Sequence, residues 1–335
     1  MRTVMTKYLM GFPALRLACV LLALALALAA GCASKAAPKV SAVNGVPDMP
    51  AAEALRLGEE SLAQGQYELA ANYLSRVLEQ EPRLARAYLA RGKAYHGLGN
   101  HEQALFDFNR AVNIEPELAL AYYDRATAYL ALARSEEALA DLERALELDP
   151  GLAVAHNEKG LALAAEDRRE EALRAFDAAI RVSEGRLAAA FYNRGTLNLR
   201  AGLLDAAATD LSRAIELDPG LARAFNNRGI LRDRAGDHEG AVEDFGAAIA
   251  LLPREPDLYL NRGIARENLN FYDRAIEDYT KALALNPDYA QALHNRGVLF
   301  MRLAARTRAC EDFEAACRLG LCYRHEASKK LGLCW

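Results

Sequence analysis

Proline recurs at a fixed interval along most of this chain, and the interval limits the fold more than any other sequence feature. Six prolines stand 34 residues apart in two series: Pro82, Pro116 and Pro150, then Pro219, Pro253 and Pro287. The 69 residues between the two series hold two further intervals, one with a single inserted residue near Glu184. Such a sequence folds as stacked copies of one small unit and not around a central core.

Eight units of this length fit between residues 51 and 323. They are residues 51–84, 85–118, 119–152, 153–187, 188–221, 222–255, 256–289 and 290–323, here called repeats 1 to 8. Position 8 is glycine in seven repeats, position 20 is always alanine, and position 27 is alanine in seven. These small residues allow two helices to approach closely, and a Leu, Phe or Tyr at position 24 fills the space between them. We therefore predict a pair of packed helices in each repeat.

Two further positions predict where these helices end. Position 15 is often glycine or asparagine, which favours a left-handed residue after the first helix. The proline at position 32 stops the second helix and opens the next unit. The composition agrees, since 52% hydrophobic and 7% aromatic residues argue against both a disordered chain and an all-β fold.

A 34-residue unit with this pattern resembles the tetratricopeptide repeat (TPR). The resemblance covers nearly all of the chain after residue 50 and implies an all-α, right-handed α-solenoid of about eight helical hairpins. First helices would line the concave inner face and second helices the outer one. The formal net charge of −4 gives no support for nucleic-acid binding.

Position 7 is basic in seven repeats, and position 23, sixteen residues later, is an aspartate in six of these. Because the two charges are present or absent together in all but one repeat, we predict structural ion pairs. The predicted pairs are Arg91 with Asp107, Arg125 with Asp141, Arg194 with Asp210, Arg228 with Asp244, Arg262 with Asp278 and Arg296 with Asp312. Repeat 4 has Lys159 at position 7 but Ala175 at position 23. The alternative is a basic stripe for anionic ligands.

In the TPR family, positions 2, 5, 6, 9, 12 and 13 of the first helix face the groove. Four successive asparagines occupy position 6 in repeats 5 to 8, and each amide offers both a donor and an acceptor to a peptide backbone. The predicted partner-binding residues are Tyr123, Tyr192, Asn193, Arg200, Asn226, Asn227, Arg234, Asn261, His294 and Asn295. The alternative is that the asparagines only bridge neighbouring first helices.

Residues 1–31 resemble a lipoprotein signal peptide. They contain three basic and no acidic residues, then fourteen apolar residues from Leu17 to Ala30, fewer than the roughly 20 of a membrane-spanning helix. The sequence from Leu28 to Cys32 is similar to a bacterial lipobox, which implies covalent lipid on Cys32 and the outer membrane of a Gram-negative bacterium. Removal of residues 1–31 changes the charge to −7. Residues 32–50 are then a flexible, lipidated tether. The alternative for the apolar segment from Leu17 to Ala30 is a transmembrane anchor.

Four cysteines, Cys310, Cys317, Cys322 and Cys334, lie within 25 residues of one another at the far end of the chain. The last two belong to a predicted cysteine-rich cap over residues 322–335. A short capping helix over residues 323–330, running back along the last second helix, would bring Cys322 near Cys317 and Cys334 near Cys310. We expect the disulfides Cys317–Cys322 and Cys310–Cys334, although sequence alone allows three connectivities. Zinc is the alternative, but the spacing lacks paired C-x-x-C motifs.

The sequence contains no phosphate loop, no H-E-x-x-H and no G-x-S-x-G motif. We therefore expect a non-enzymatic adaptor with no catalytic residue, metal or cofactor besides the lipid. It would hold periplasmic or envelope proteins or peptides in its groove, attached to the membrane by lipid alone. The alternative is a structural or assembly subunit of an envelope complex, similar to a pilotin. Carbohydrate binding would need more groove aromatics than Tyr123 and Tyr192.

Overall fold

The structure, a computed structural model, describes residue 46 and residues 49–334. The predicted signal peptide, Cys32 and most of the predicted tether lie outside the described residues. Within them the chain forms seventeen helices and no strand. Each predicted repeat contains two of the helices, which confirms the predicted all-α fold of consecutive helical hairpins.

The first helices begin at the first residue of each repeat. They are α1 Ala51–Ala63, α3 Ala85–Gly97, α5 Ala119–Ala131, α7 Ala153–Ala165, α9 Ala188–Arg200, α11 Ala222–Ala235, α13 Pro256–Asn268 and α15 Ala290–Arg302. The second helices are α2 Tyr67–Gln80, α4 His101–Ile114, α6 Ser135–Leu148, α8 Arg169–Val182, α10 Leu204–Leu217, α12 His238–Leu251, α14 Tyr272–Leu285 and α16 Arg306–Arg318. A short last helix, α17 Tyr323–Lys330, follows them.

Contacts divide the described chain into two compact parts, residues 46–197 and residues 198–334. In each part, a helix packs on the helices before and after it, and first helices of neighbouring repeats also touch. The first part contains repeats 1 to 4 and most of α9. The second part contains α10 and repeats 6 to 8, with α17.

The contact between the helices of a hairpin depends on glycine at position 8. A β-carbon placed on Gly92 would lie 2.5 Å from the ring of Phe108, and one on Gly263 would lie 2.5 Å from the ring of Tyr279. Both rings are completely or almost completely buried. Only hydrogen at position 8 leaves room for a ring at position 24, so the two positions form one packing unit.

All eight first helices are followed by a residue with positive φ at position 15. Gly99 has φ 77° there, but the same position is held by Ala133 at 58° and Ala304 at 58°. An L-residue with a β-carbon pays a steric penalty in this region, whereas glycine does not. The tertiary arrangement of the hairpin therefore imposes the left-handed turn even where the residue disfavours it.

Candidate functional site

The predicted ion pairs lie in contact within each part. The Arg91 guanidinium donates two hydrogen bonds to the Asp107 carboxylate, at 2.7 and 2.8 Å. The same paired geometry occurs for Arg125 with Asp141, Arg228 with Asp244, Arg262 with Asp278 and Arg296 with Asp312. The pair of Arg194 with Asp210 would join the two parts and stays a prediction.

These basic residues also reach back to the preceding repeat, a contact that the sequence analysis missed. Arg91 donates to the Ser75 hydroxyl at 3.0 Å, and Arg194 lies 2.5 Å from Asp177. Lys159, which lacks an aspartate at position 23, contacts Glu143 at 2.8 Å. Each of these partners is at position 25, which is polar in seven of the eight repeats. The recurrence of a polar residue at position 25 was the sequence feature that could have predicted this contact.

Burial indicates that the pairs are structural. The side chain of Asp107 is 1% exposed and that of Arg91 is 10% exposed. Burial raises the pKa of Asp107, although the Arg91 guanidinium acts in the opposite direction. A carboxylate in this position needs its cation, and neither group is free for a ligand.

The first-helix face, defined here by positions 2, 5, 6, 9, 12 and 13 of the first helices, contains the predicted binding residues. Asn193 donates to the Oδ1 atom of Asn157 at 2.9 Å, and Asn261 donates to that of Asn226 at 2.9 Å. In both cases the amide at position 6 bonds to position 5 of the preceding repeat. The amides of Asn193 and Asn261 therefore bridge first helices, as the alternative interpretation proposed. Asn227, at position 6 of the repeat between theirs, is half-buried.

His294 and Asn295 do not lie on an accessible face, contrary to expectation. They are 7% and 3% exposed. Helix α17 places Tyr323 against His294, with ring centroids 5.2 Å apart and the hydroxyl 3.3 Å from Nε2. The Asn295 Oδ1 atom accepts a hydrogen bond from the Gln291 side chain at 2.8 Å. The cap covers the last repeat, so these two residues are removed from the candidate surface.

The other predicted residues are partly or fully accessible. Arg200 and Arg234 are exposed, while Tyr123 and Tyr192 are half-buried. Burial, together with the nearby charges of Glu158 and Asp124, raises the pKa of Tyr123 to about 12. The Tyr123 hydroxyl therefore stays protonated and able to donate a hydrogen bond at neutral pH.

Repeats 3 and 4 hold two carboxylates on this face that the sequence analysis did not select. Asp124 is 8% exposed, and its carboxylate lies 3.0 Å from the Lys93 ammonium. Burial raises the pKa of Asp124 to about 6, partly offset by Lys93. Glu158 is half-buried, and burial raises its pKa as well. An acid at position 6 where later repeats have asparagine was the available signal.

The cysteines of the cap are paired in the structure. Cys310 is bonded to Cys334 and Cys317 to Cys322, with Cα atoms 5.6 and 3.9 Å apart. Cys310 and Cys317 lie on α16, while Cys322 immediately precedes α17 and Cys334 follows it. The two bonds would hold α17 at the end of the last repeat, and their formation in the cell stays a prediction.

A cleft of about 500 Å³ opens between α6, α7 and α8, beside Ala175. Most of the charged side chains that line this cleft form ion pairs with neighbouring side chains. Lys159 contacts Glu143, Glu147 contacts Arg144, and Glu171 contacts Arg168, all within 2.9 Å.

In the part of the chain that the structure describes, no group of three or more His, Cys, Asp or Glu side chains is placed to hold a metal ion. None of the described helices has the length and apolar character needed to cross a bilayer.

Stacked helical hairpins with close-packed small residues define a helical-repeat scaffold protein. Models described as tetratricopeptide repeat match residues 55–119 and 157–222, and another matches residues 119–152. A further model described as TPR repeat matches residues 269–303. The chain belongs to the tetratricopeptide repeat family. A comparison with curated proteins found no match.

Solved structures share this fold. The structure of PilF from Pseudomonas aeruginosa has a TM-score of 0.58 and 20% identity, covering 62% of this chain and 94% of that one. The structure of PilW, described as a widely conserved type IV pilus biogenesis factor, has a TM-score of 0.56 and 22% identity. The match covers 63% of this chain and 97% of that one. The structure of the Cut9–Hcn1 hetero-tetramer of the APC/C has a TM-score of 0.56 and 18% identity, and the match covers 79% of this chain and 52% of that one. At these identities the likeness establishes the fold alone.

Proposed function

We propose that this protein is a non-enzymatic adaptor that binds other proteins through its first-helix face and is held at the outer membrane by lipid on Cys32. The observation that supports binding is the accessible apolar surface on first helices in repeats 3 and 4. Leu120, Val154 and Leu161 are 41%, 37% and 38% exposed. They are the only exposed large apolar side chains within the first helices that the structure describes, and apolar groups on such a face favour a protein partner.

The binding role is tested by recovering partners from envelope extracts with two matched variants. Leu161→Ser changes the first-helix face, whereas Phe106→Ser changes a side chain on α4 that is 44% exposed. We expect Leu161→Ser to lose proteins that the unmodified chain and Phe106→Ser both retain. Recovery of the same proteins by all three would contradict a binding role for this face.

The tether is tested separately by fractionating cells of a Gram-negative host that express the full chain. Multiple acyl chains hold a protein to a bilayer durably. Cys32→Ser should move the protein out of the outer-membrane fraction, whereas Cys19→Ser, inside the predicted signal, should leave its location unchanged. An outer-membrane location for Cys32→Ser would contradict lipid anchoring.

A second candidate role is a structural or assembly subunit of an envelope complex, similar to a pilotin. The description of PilW as a pilus biogenesis factor suggests this role, although the shared fold alone does not transfer it. Self-assembly distinguishes the two roles, because an assembly subunit would form a defined oligomer and an adaptor would remain monomeric.

A further inference from the structure

The first-helix face of repeats 3 and 4 combines exposed apolar side chains with a carboxylate that has no cation beside it. On α7, Val154, Glu158 and Leu161 are separated by four and three residues. Residues at these spacings share one face of a helix, and Val154 and Leu161 are about 10 Å apart along the axis. Leu120 adds an apolar side chain from α5, whose helix touches α7.

The Glu158 carboxylate is the charged group of this face that has no cation beside it. In the region that the structure describes, its hydrogen bond comes from the Asn157 amide at 3.3 Å, and no Lys, Arg or His lies within ion-pair distance. The neighbouring carboxylate, Asp124, has Lys93 at 3.0 Å. Glu137, Glu143 and Glu147 on α6 likewise have a basic partner.

A half-buried carboxylate without a cation is stabilised by any positive group that reaches it, because burial has removed part of its hydration. The two apolar side chains, Val154 and Leu161, lie on either side of it along α7. A ligand that matches this face therefore needs one positive charge with apolar groups on both sides. An acidic segment would meet both Glu158 and Asp124 and would be repelled.

We propose that the first-helix face of repeats 3 and 4 binds a partner segment in which one lysine or arginine lies between two apolar residues. The side chains of Leu120, Val154 and Leu161 contact the apolar residues, and Glu158 pairs with the cation. This inference rests on the proposed binding function and assigns the chemistry of its partner. Because the positive charge is recognised against a partly desolvated carboxylate, it contributes specificity as well as affinity.

The test is selection from a displayed library of pentapeptides in which leucine occupies the first and last positions and the central residue is varied. The unmodified protein should enrich lysine and arginine at the centre. Glu158→Gln keeps the shape and a hydrogen-bonding group but removes the charge, so the selected lysine peptide should bind about tenfold more weakly. Glu158→Lys should reverse the preference toward aspartate and glutamate.

Glu143→Gln is the matched control, since Glu143 is an exposed carboxylate on α6 and lies off the first-helix face. It should retain the lysine preference, and circular dichroism melting of every variant establishes that it is folded. Enrichment of neutral or acidic centres, no enrichment at all, or a lysine preference that survives in Glu158→Gln would each overturn the proposal. Partner recovery that depends on Leu161 but not on Glu158 would leave the proposed function standing and remove this inference alone.

Discussion

At the scale of single residues, the charges of this protein fall into buried and exposed groups with different roles. Arg91 and Asp107 are buried and satisfy each other, whereas Arg144 and Glu147 form an exposed pair with side chains 44% and 66% accessible. Buried pairs are costly to break and exposed pairs contribute little, because water competes with the exposed contact. The position of a charge in the repeat therefore decides what its removal does.

Breaking the buried pair should strongly destabilise the fold. Arg91→Ala leaves the Asp107 carboxylate buried without its cation, and we expect the free energy of unfolding to fall by about 3–5 kcal/mol. Replacing both partners, as Arg91→Met with Asp107→Leu, should recover most of this loss because no buried charge remains. Urea denaturation measures both variants.

Arg144→Ala is the control, with an expected loss below about 1 kcal/mol. A double variant as unstable as Arg91→Ala alone would show that packing, and not the orphaned charge, causes the loss.

The buried carboxylate of Asp124 should make stability depend on pH. Burial raises its pKa to about 6 in the folded protein, above the value of about 3.9 in an unfolded chain. Its contribution to stability is therefore fully present below pH 4 and is lost as the pH rises through 6. Lys93 lies 3.0 Å from this carboxylate, so the effect of Asp124 is isolated by comparison with Asp124→Asn.

Between pH 4 and pH 7, the unmodified protein should lose about 2 kcal/mol relative to Asp124→Asn. Urea midpoints at each pH provide the measurement, with Asp273→Asn on the exposed surface of α14 as the control. A constant difference between the Asp124→Asn and unmodified proteins across this range would contradict the raised pKa.

At the scale of helices, a small residue in the first helix of each hairpin faces a large one in the second, and in five repeats this is a glycine against an aromatic ring. The sequence predicted this, because position 8 is small and position 24 large in every repeat. The sequence did not predict the left-handed turn at Ala133 and Ala304, since neither residue favours positive φ. There the hairpin geometry overrides local preference.

Two glycine substitutions in helices should have opposite effects. Gly92→Ala places a methyl group against the buried Phe108 ring and should lower stability by about 1–3 kcal/mol. Gly246→Ala, on α12, meets no atom within 4 Å and should raise stability by about 0.5–1 kcal/mol, because alanine favours a helix. Thermal unfolding of the two variants measures the difference. Equal effects of the two would show that position 8 has no special packing role.

The C-terminal cap gives a prediction about covalent structure. If Cys310 bonds to Cys334 and Cys317 to Cys322, protein purified from the periplasm should resist alkylation of all four cysteines until it is reduced. Peptide mapping without reduction should recover the two linked pairs. Four alkylated cysteines before reduction, or a different pairing, would contradict the assignment.

At the scale of the molecule, the repeats replace the central core that a chain of this length ordinarily builds. Each repeat buries its small and aromatic residues against its neighbours, and the two compact parts are each built in this way. Such an arrangement leaves long faces of first helices accessible, which suits a binding scaffold better than an enclosed catalytic site.

The two candidate roles predict different masses in solution. Sedimentation of a soluble form beginning at residue 33 should show a monomer if the protein is an adaptor, because its exposed first-helix apolar side chains then bind other proteins and not a second copy. Stable association into a defined oligomer at micromolar concentration would favour the assembly role.

The sequence by itself determined the repeat, its register and the partners of the buried charges, because close packing repeats the same residue type at the same position in every unit. It identified the first-helix face but not which of its residues remain accessible. Only the tertiary structure decided that Asn193 and Asn261 bond to neighbouring helices, that α17 covers His294 and Asn295, and that Glu158 lies without a cation. Those outcomes depend on which side chains meet across neighbouring helices, and local sequence does not encode such distances.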